Sequence, residues 1–109
     1  MADYTVKITP QAKEQMSENF RYIGKSLSEP ETALKLLSKI KEAVFSLETM
    51  PNRVALTEEE PWHSRGIHKM PVQNFIVYFV TDEGRKEVHV IAVIYGKRNQ
   101  YEVLKEINN

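Results

Sequence analysis

Apolar residues change their spacing several times along this chain, and each change marks an element. Tyr4-Thr-Val-Lys-Ile8 alternates and is rich in strand formers, which predicts a short first strand ended by Thr9-Pro10. Threonine can cap the helix that follows, and proline suits its first turn, where a missing N–H costs nothing. Ala12, Met16, Phe20 and Ile23 then recur at helical spacing, with Gly24 marking the expected end. Ser28-Glu-Pro-Glu31 has the capping-box form and opens a second helix. Ala33, Leu37, Ile40, Val44 and Leu47 share one face of it, widened by Leu34, Leu36 and Ala43, until Met50-Pro51 stops it.

Residues 51–64 hold two prolines, a glutamate run and no period, so a loop is expected there. Three strands follow, with turns predicted at Pro71-Val-Gln-Asn74 and at Asp82-Glu-Gly-Arg85, where Gly84 can adopt a positive φ. Phe75 to Thr81 and Glu87 to Tyr95 form the central pair. Beyond Gly96, Tyr101, Leu104 and Ile107 fall at helical spacing and predict a short C-terminal helix.

The fold class is therefore α+β: a two-layer β-α-α-β-β-β chain in which a helical hairpin covers an antiparallel meander, read as a single domain over residues 1–109. One helical layer covers only one sheet face. Phe75, Val77 and Phe79 alternate with Ile76, Tyr78 and Val80, so both faces of the central strand are apolar and the second needs its own cover. Either a partner segment or the C-terminal helix with the acidic loop can supply it.

Composition narrows the chemistry. The chain has 109 residues, no cysteine and a formal charge of zero. Disulfides and thiolate metal sites are excluded, and His63, His68 and His89 show no metal-ligand spacing, so no metal or other cofactor is expected. No apolar run reaches the roughly 18 residues a membrane span requires, and the first residues lack a signal pattern, so a cytoplasmic protein without a membrane partner is expected. The charges are unevenly placed: Glu48, Glu58, Glu59 and Glu60 face only Arg53 in residues 48–61. In residues 65–100, Arg65, Lys69, Arg85, Lys86, Lys97 and Arg98 outnumber Asp82, Glu83 and Glu87. That basic lean is too slight to predict strong nonspecific nucleic-acid binding.

The segment Gly66-Ile-His-Lys-Met-Pro-Val-Gln-Asn-Phe-Ile-Val-Tyr-Phe-Val80, with Tyr95-Gly-Lys-Arg98 and the weaker Tyr4-Thr-Val-Lys-Ile-Thr-Pro-Gln-Ala12 and Leu47-Glu-Thr-Met-Pro51, resembles the RelE/ParE superfamily of bacterial type II toxins. It looks more like the ParE branch than the ribosome-dependent RelE branch. The resemblance implies a growth-inhibiting toxin neutralised by a cognate antitoxin, with DNA gyrase as target in the ParE branch and ribosome-bound mRNA in the RelE branch. No small-molecule substrate is implied.

If the chain is a nuclease, the resemblance implies a metal-independent endoribonuclease in which Arg98 and Lys97 hold the phosphate, with His68 and Tyr101 available for proton transfer. The arginine that usually begins the central strand falls on Phe75, and the C-terminal tyrosine of the nuclease branch falls near Leu104. Tyr101 lies about 4.5 Å earlier along a helix axis, too far to transfer the same proton unaltered. These departures favour a protein-binding inhibitor over an enzyme. Candidate target or antitoxin contacts are Trp62, Arg65, Lys69, Phe20 and Met16. Met16 and Phe20 equally suit the helix-to-sheet core, as does Leu36. Trp62, between proline and histidine, is either a lid or an exposed anchor. An inactive relic that only binds its antitoxin is a third reading.

Overall fold

The computed structural model describes residues 3–26 and 30–95. Strand β1 (Thr5–Ile8) leads into helices α1 (Pro10–Ser26) and α2 (Pro30–Phe45). Two single turns of 3-10 helix, Ser46–Glu48 and Pro51–Arg53, come before strands β2 (His68–Val72), β3 (Phe75–Asp82) and β4 (Glu87–Tyr95). The expected C-terminal helix and Ser28 of the expected capping box lie outside the described residues.

Thr9 caps α1 as its sequence predicts, its Oγ1 accepting from the Ala12 N–H at 3.2 Å. The helix runs through Gly24 to Ser26, so that glycine is an interior residue and not the stop expected of it. The second helix keeps its apolar period past Phe45 by tightening into the 3-10 turn that buries Leu47. Among the hairpins, β2 extends through Pro71 to Val72, and Gln73 carries the positive φ (57°) of the turn. In the second hairpin, Lys86 (φ 54°), and not Gly84, carries the positive φ.

The strands form one mixed sheet in the order β1-β4-β3-β2. The β4-β3-β2 part is the antiparallel meander expected, while β1 joins the outer edge of β4 in parallel, pairing Thr5 with Glu87 and Ile8 with Val90. Alternation alone cannot reveal that edge, because β1 reads the same beside any neighbour.

A bulge governs which way β4 faces. Tyr78 pairs with Ala92 and Phe79 with Val90, which leaves Ile91 as the extra residue. Side-chain parity flips across it, so Val88, Val90, Val93 and Tyr95 all join the cluster under the helices. There they meet Ala12, Met16, Ala33, Ile40, Val44 and Leu47, together with Phe75, Val77 and Phe79 of β3.

Tyr78, Ala92 and Ile94 face the other way, and residues 57–67 cover them. Trp62 and Ile67 complete that second cluster, with Ile76, Val80 and Ile91 half-buried at its margin. Of the two covers the sequence allows, the acidic loop is the one within the described residues. Trp62 is the lid, only 1% exposed.

An indole so enclosed should carry much of the fold's stability. Trp62→Ala should cost about 3–5 kcal/mol in urea unfolding followed by circular dichroism. Leu34→Ala, on the outer side of α2 where Leu34 is 66% exposed, should stay within about 0.5 kcal/mol. Equal losses for the two variants would show that the loop does not seal the second face.

Candidate functional site

The loop that carries Trp62 is closed on itself and stitched to the edge of the sheet. The Thr57 N–H donates to the Ile67 carbonyl at 2.8 Å, and the Lys69 N–H donates to Ala55 at 3.1 Å. Between these ties the chain makes a compact turn: Glu60 accepts from the Ser64 N–H at 2.7 Å, and the Ile67 N–H donates to the Trp62 carbonyl at 3.2 Å. Gly66 ends the turn at φ 75°, a conformation a side chain would strain. Ser64 holds the Glu60 carboxyl below the usual range. Beneath the lid, burial and then the charge of Glu59 push the Tyr78 phenol up to about 12, so it stays neutral.

Arg65 and Lys69 are exposed beside this loop. Lys69 pairs with Tyr78 in the β2–β3 register and so shares the second face. Met16 and Phe20 lie on the opposite side of the sheet, Met16 buried and Phe20 half-buried against Phe75 at 5.7 Å between ring centroids. The candidate contacts thus divide into two exposed cations, Arg65 and Lys69, and three side chains set in the two cores, Trp62 on their own side of the sheet and Met16 and Phe20 on the other.

His68 is bracketed. Its ring is 6% exposed, stacked on Phe79 at 4.7 Å, with Nδ1 2.8 Å from the Val54 carbonyl oxygen. A carbonyl only accepts, so Nδ1 carries a proton and the ring ties the 54–56 segment to β2. That environment suits a structural histidine more than a solvent-facing acid or base. Phe75, at the position where the resemblance places an arginine, is wholly buried between Phe20 and Tyr95, the latter 5.2 Å away. Lys97, Arg98 and Tyr101 lie outside the described residues.

Three polar clusters escaped the sequence reading. Glu83 accepts from the Tyr4 hydroxyl at 2.6 Å and from Asn52 Nδ2 at 2.8 Å, while the Lys86 ammonium lies 3.5 Å from it and 5.1 Å from the Tyr4 ring centroid. Glu87 receives Lys7 at 2.8 Å across the β1–β4 pair and His89 at 3.0 Å on its own strand. On α1, Gln15 and Asn19 reach the Val93 backbone, at 2.9 and 3.3 Å. That last cluster had a sequence signal: two amides one turn apart interrupt a helix face otherwise built of Ala12, Met16 and Phe20.

A shallow depression of about 540 Å³ is lined by Ala55, Leu56, Glu58, Glu60 and His63. Its carboxylates would repel a phosphate backbone. No group of three or more metal-ligating side chains stands among the described residues, and no helix there is long and apolar enough to cross a membrane.

Two helices packed on a mixed four-stranded sheet match the fold of the small toxins of type II toxin–antitoxin systems. The sequence profile of the ParE toxin of type II toxin–antitoxin systems, parDE, matches residues 6–100, and the chain belongs to that family. No curated protein sequence matches it significantly. Among solved structures it is similar to a chain of the chromosomal ParDE system of P. aeruginosa, at TM-score 0.69 and 23% identity over 85% of this chain and 96% of that one. A chain of the RelBE2 toxin–antitoxin complex of Mycobacterium tuberculosis gives TM-score 0.60 and 18% identity over 85% and 98%. A double mutant of E. coli RelE in the free state gives 0.59 and 16% over 99% and 96%. At these identities the likeness shows the fold.

The Glu83 cluster predicts an acid dependence. Tyr4 first, then Asn52, hold the Glu83 carboxyl at about 2 against an ordinary 4.5. A carboxyl whose pKa is lowered in the fold contributes stability above its unfolded pKa and loses it as pH falls toward the folded one. Melting temperatures of the native chain and Glu83→Gln should therefore differ most near neutral pH and converge between about pH 5 and pH 2. Parallel curves would remove Glu83 from the balance.

Proposed function

We propose that this protein arrests growth by binding a cellular protein target, with DNA gyrase as the candidate, and that a cognate antitoxin neutralises it. The observation that carries this reading is Phe75. Metal-free RNA cleavage needs cations at the scissile phosphate and a proton acceptor near the 2′-hydroxyl. Here an aromatic residue fills the core where the nuclease branch has an arginine, and His68 is committed to Val54 and Phe79. A binder needs neither group. It needs a rigid presenting surface, and Arg65 and Lys69 stand exposed on a stitched loop and an edge strand.

Arg98 and Lys97 follow the last strand and complete the proposed contact set as charged groups that meet the target. Their planar fork and ammonium suit acidic or carbonyl-rich protein surfaces without any proton transfer. The antitoxin is proposed to cover the same cations, so the protein is expected to work in the cytoplasm, where such a target and partner reside.

Two assays run on the same preparation test the reading. DNA supercoiling by gyrase should be inhibited by the native protein and at least about tenfold less by Arg98→Ala, a loss of 1.4 kcal/mol in binding. Primer extension on mRNA with translating ribosomes should show an intact message. Ribosome-dependent cuts that vanish in Arg98→Ala would instead establish the nuclease reading. A chain that neither slows growth nor inhibits gyrase would be a relic that retains only its antitoxin.

A further inference from the structure

Beyond β2 the sheet is continued by a short extended segment that joins it through a single antiparallel bridge, Leu56 opposite His68. The residues on either side of Leu56 turn their backbone toward β2. The Ala55 carbonyl accepts from the Lys69 N–H at 3.1 Å, and the Thr57 N–H donates to the Ile67 carbonyl at 2.8 Å. Backbone groups of successive residues in an extended chain point to opposite sides. Leu56 therefore turns its N–H and C=O away from the sheet, and neither has a partner among the described residues. Next to it the Thr57 hydroxyl, in a residue only 4% exposed, is unpartnered as well.

This open edge borders the depression of about 540 Å³ that Leu56 lines with Ala55, Glu58, Glu60 and His63. The side chains on its wall that can form hydrogen bonds are acceptors. His63 Nδ1 lies 2.8 Å from the Thr57 carbonyl oxygen, so that nitrogen carries a proton and Nε2 of the neutral ring accepts. Glu60 is held in place by the N–H and hydroxyl of Ser64. Among the described residues, no lysine or arginine pairs with Glu58, Glu59 or Glu60.

Carboxylates set around apolar Ala55 and Leu56 reject two classes of occupant. Phosphate is repelled, and a purely hydrocarbon surface would strip water from the carboxylates and give nothing back. A lysine or arginine side chain satisfies both parts of the wall, its methylenes on Leu56 and its charged head on the glutamates. The outward N–H and C=O of Leu56 are what a second extended backbone pairs with. We infer that this depression docks an extended, basic segment of a protein partner, whose backbone pairs with Leu56 and whose cations meet Glu58 and Glu60. The loop is already tied at both ends, so little ordering is needed for binding. The inference is independent of the target proposed above, which is met by cations and not by this acidic wall.

The test titrates the full chain with an acetylated, amidated peptide, Ala-Lys-Val-Arg-Val-Lys-Ala. Its readouts are the fluorescence of Trp62, the only tryptophan and the neighbour of His63, and amide hydrogen exchange at single residues. One control peptide carries glutamate in place of each cation. Spermidine, which has the charge without the backbone, is the other control. The basic peptide should bind, the acidic one should not, and the Leu56 amide should exchange at least about tenfold more slowly at saturation. Glu58→Lys should weaken binding at least about tenfold and Glu58→Gln by less. Glu42→Lys, an equal change of charge at an exposed position on α2, should leave it within about twofold.

No binding at about 1 mM basic peptide would overturn the inference. Spermidine binding as tightly as the peptide, or an unchanged exchange rate at Leu56, would overturn it too, reducing the depression to a diffuse attraction for cations. Equal weakening by Glu42→Lys and Glu58→Lys would assign the effect to net charge and remove the site.

Discussion

The β3–β4 pair is the constraint on which everything else in this molecule depends. Both strands carry buried apolar residues on both faces, so each face needs a cover and the chain must supply two. Seventeen residues of α1 and sixteen of α2 provide one. The other comes from a segment without repeating structure, which can act as a cover only because it is stitched at its ends and folded around a single large side chain. Most of the second face is hidden by Trp62 and Ile67, while Ile76, Val80 and Ile91 remain half-exposed around them.

The bulge at Ile91 lets one strand serve both covers. Without it, Val93 and Tyr95 would face the loop and Ala92 and Ile94 would face the helices, so the small side chain would sit where bulk is required. The same irregularity turns the Val93 backbone outward to Gln15 and Asn19. Packing and hydrogen bonding at the strand end are thus settled by a single extra residue.

The elements themselves were legible in the sequence because each rests on local patterns: alternation in β1, helical spacing over Ala12 to Phe20 and Ala33 to Val44, and apolar runs bounded by turn residues in β3 and β4. The two-layer α+β class followed. Less legible were features set by distant partners. Neither the parallel attachment of β1 nor the bulge leaves a periodic trace, and Lys86 rather than Gly84 takes the left-handed turn position although composition points to the glycine. For the candidate site, the sequence distinguished Trp62 as lid or anchor but could not choose. His68 and Phe75 read as chemistry present and chemistry missing, and only their surroundings show that both are occupied with holding the fold. Met16 and Phe20 were ambiguous between contact and core for the same reason, since an amphipathic face does not name what it faces.

The parallel pairing of β1 with β4 also sets an order of events in time. The first strand is made early, and its neighbour belongs to the far side of both helices, the loop and the other two strands. Until β4 has been synthesised, β1 has no ladder, α1 has no Val93 to hold and the Trp62 loop has only part of its floor. Pairings of such long sequence separation are slow to form, because the intervening chain must be ordered before they return any stability. The covered sheet is therefore absent from the chain's own nascent forms, and it can close only once β4 has been made.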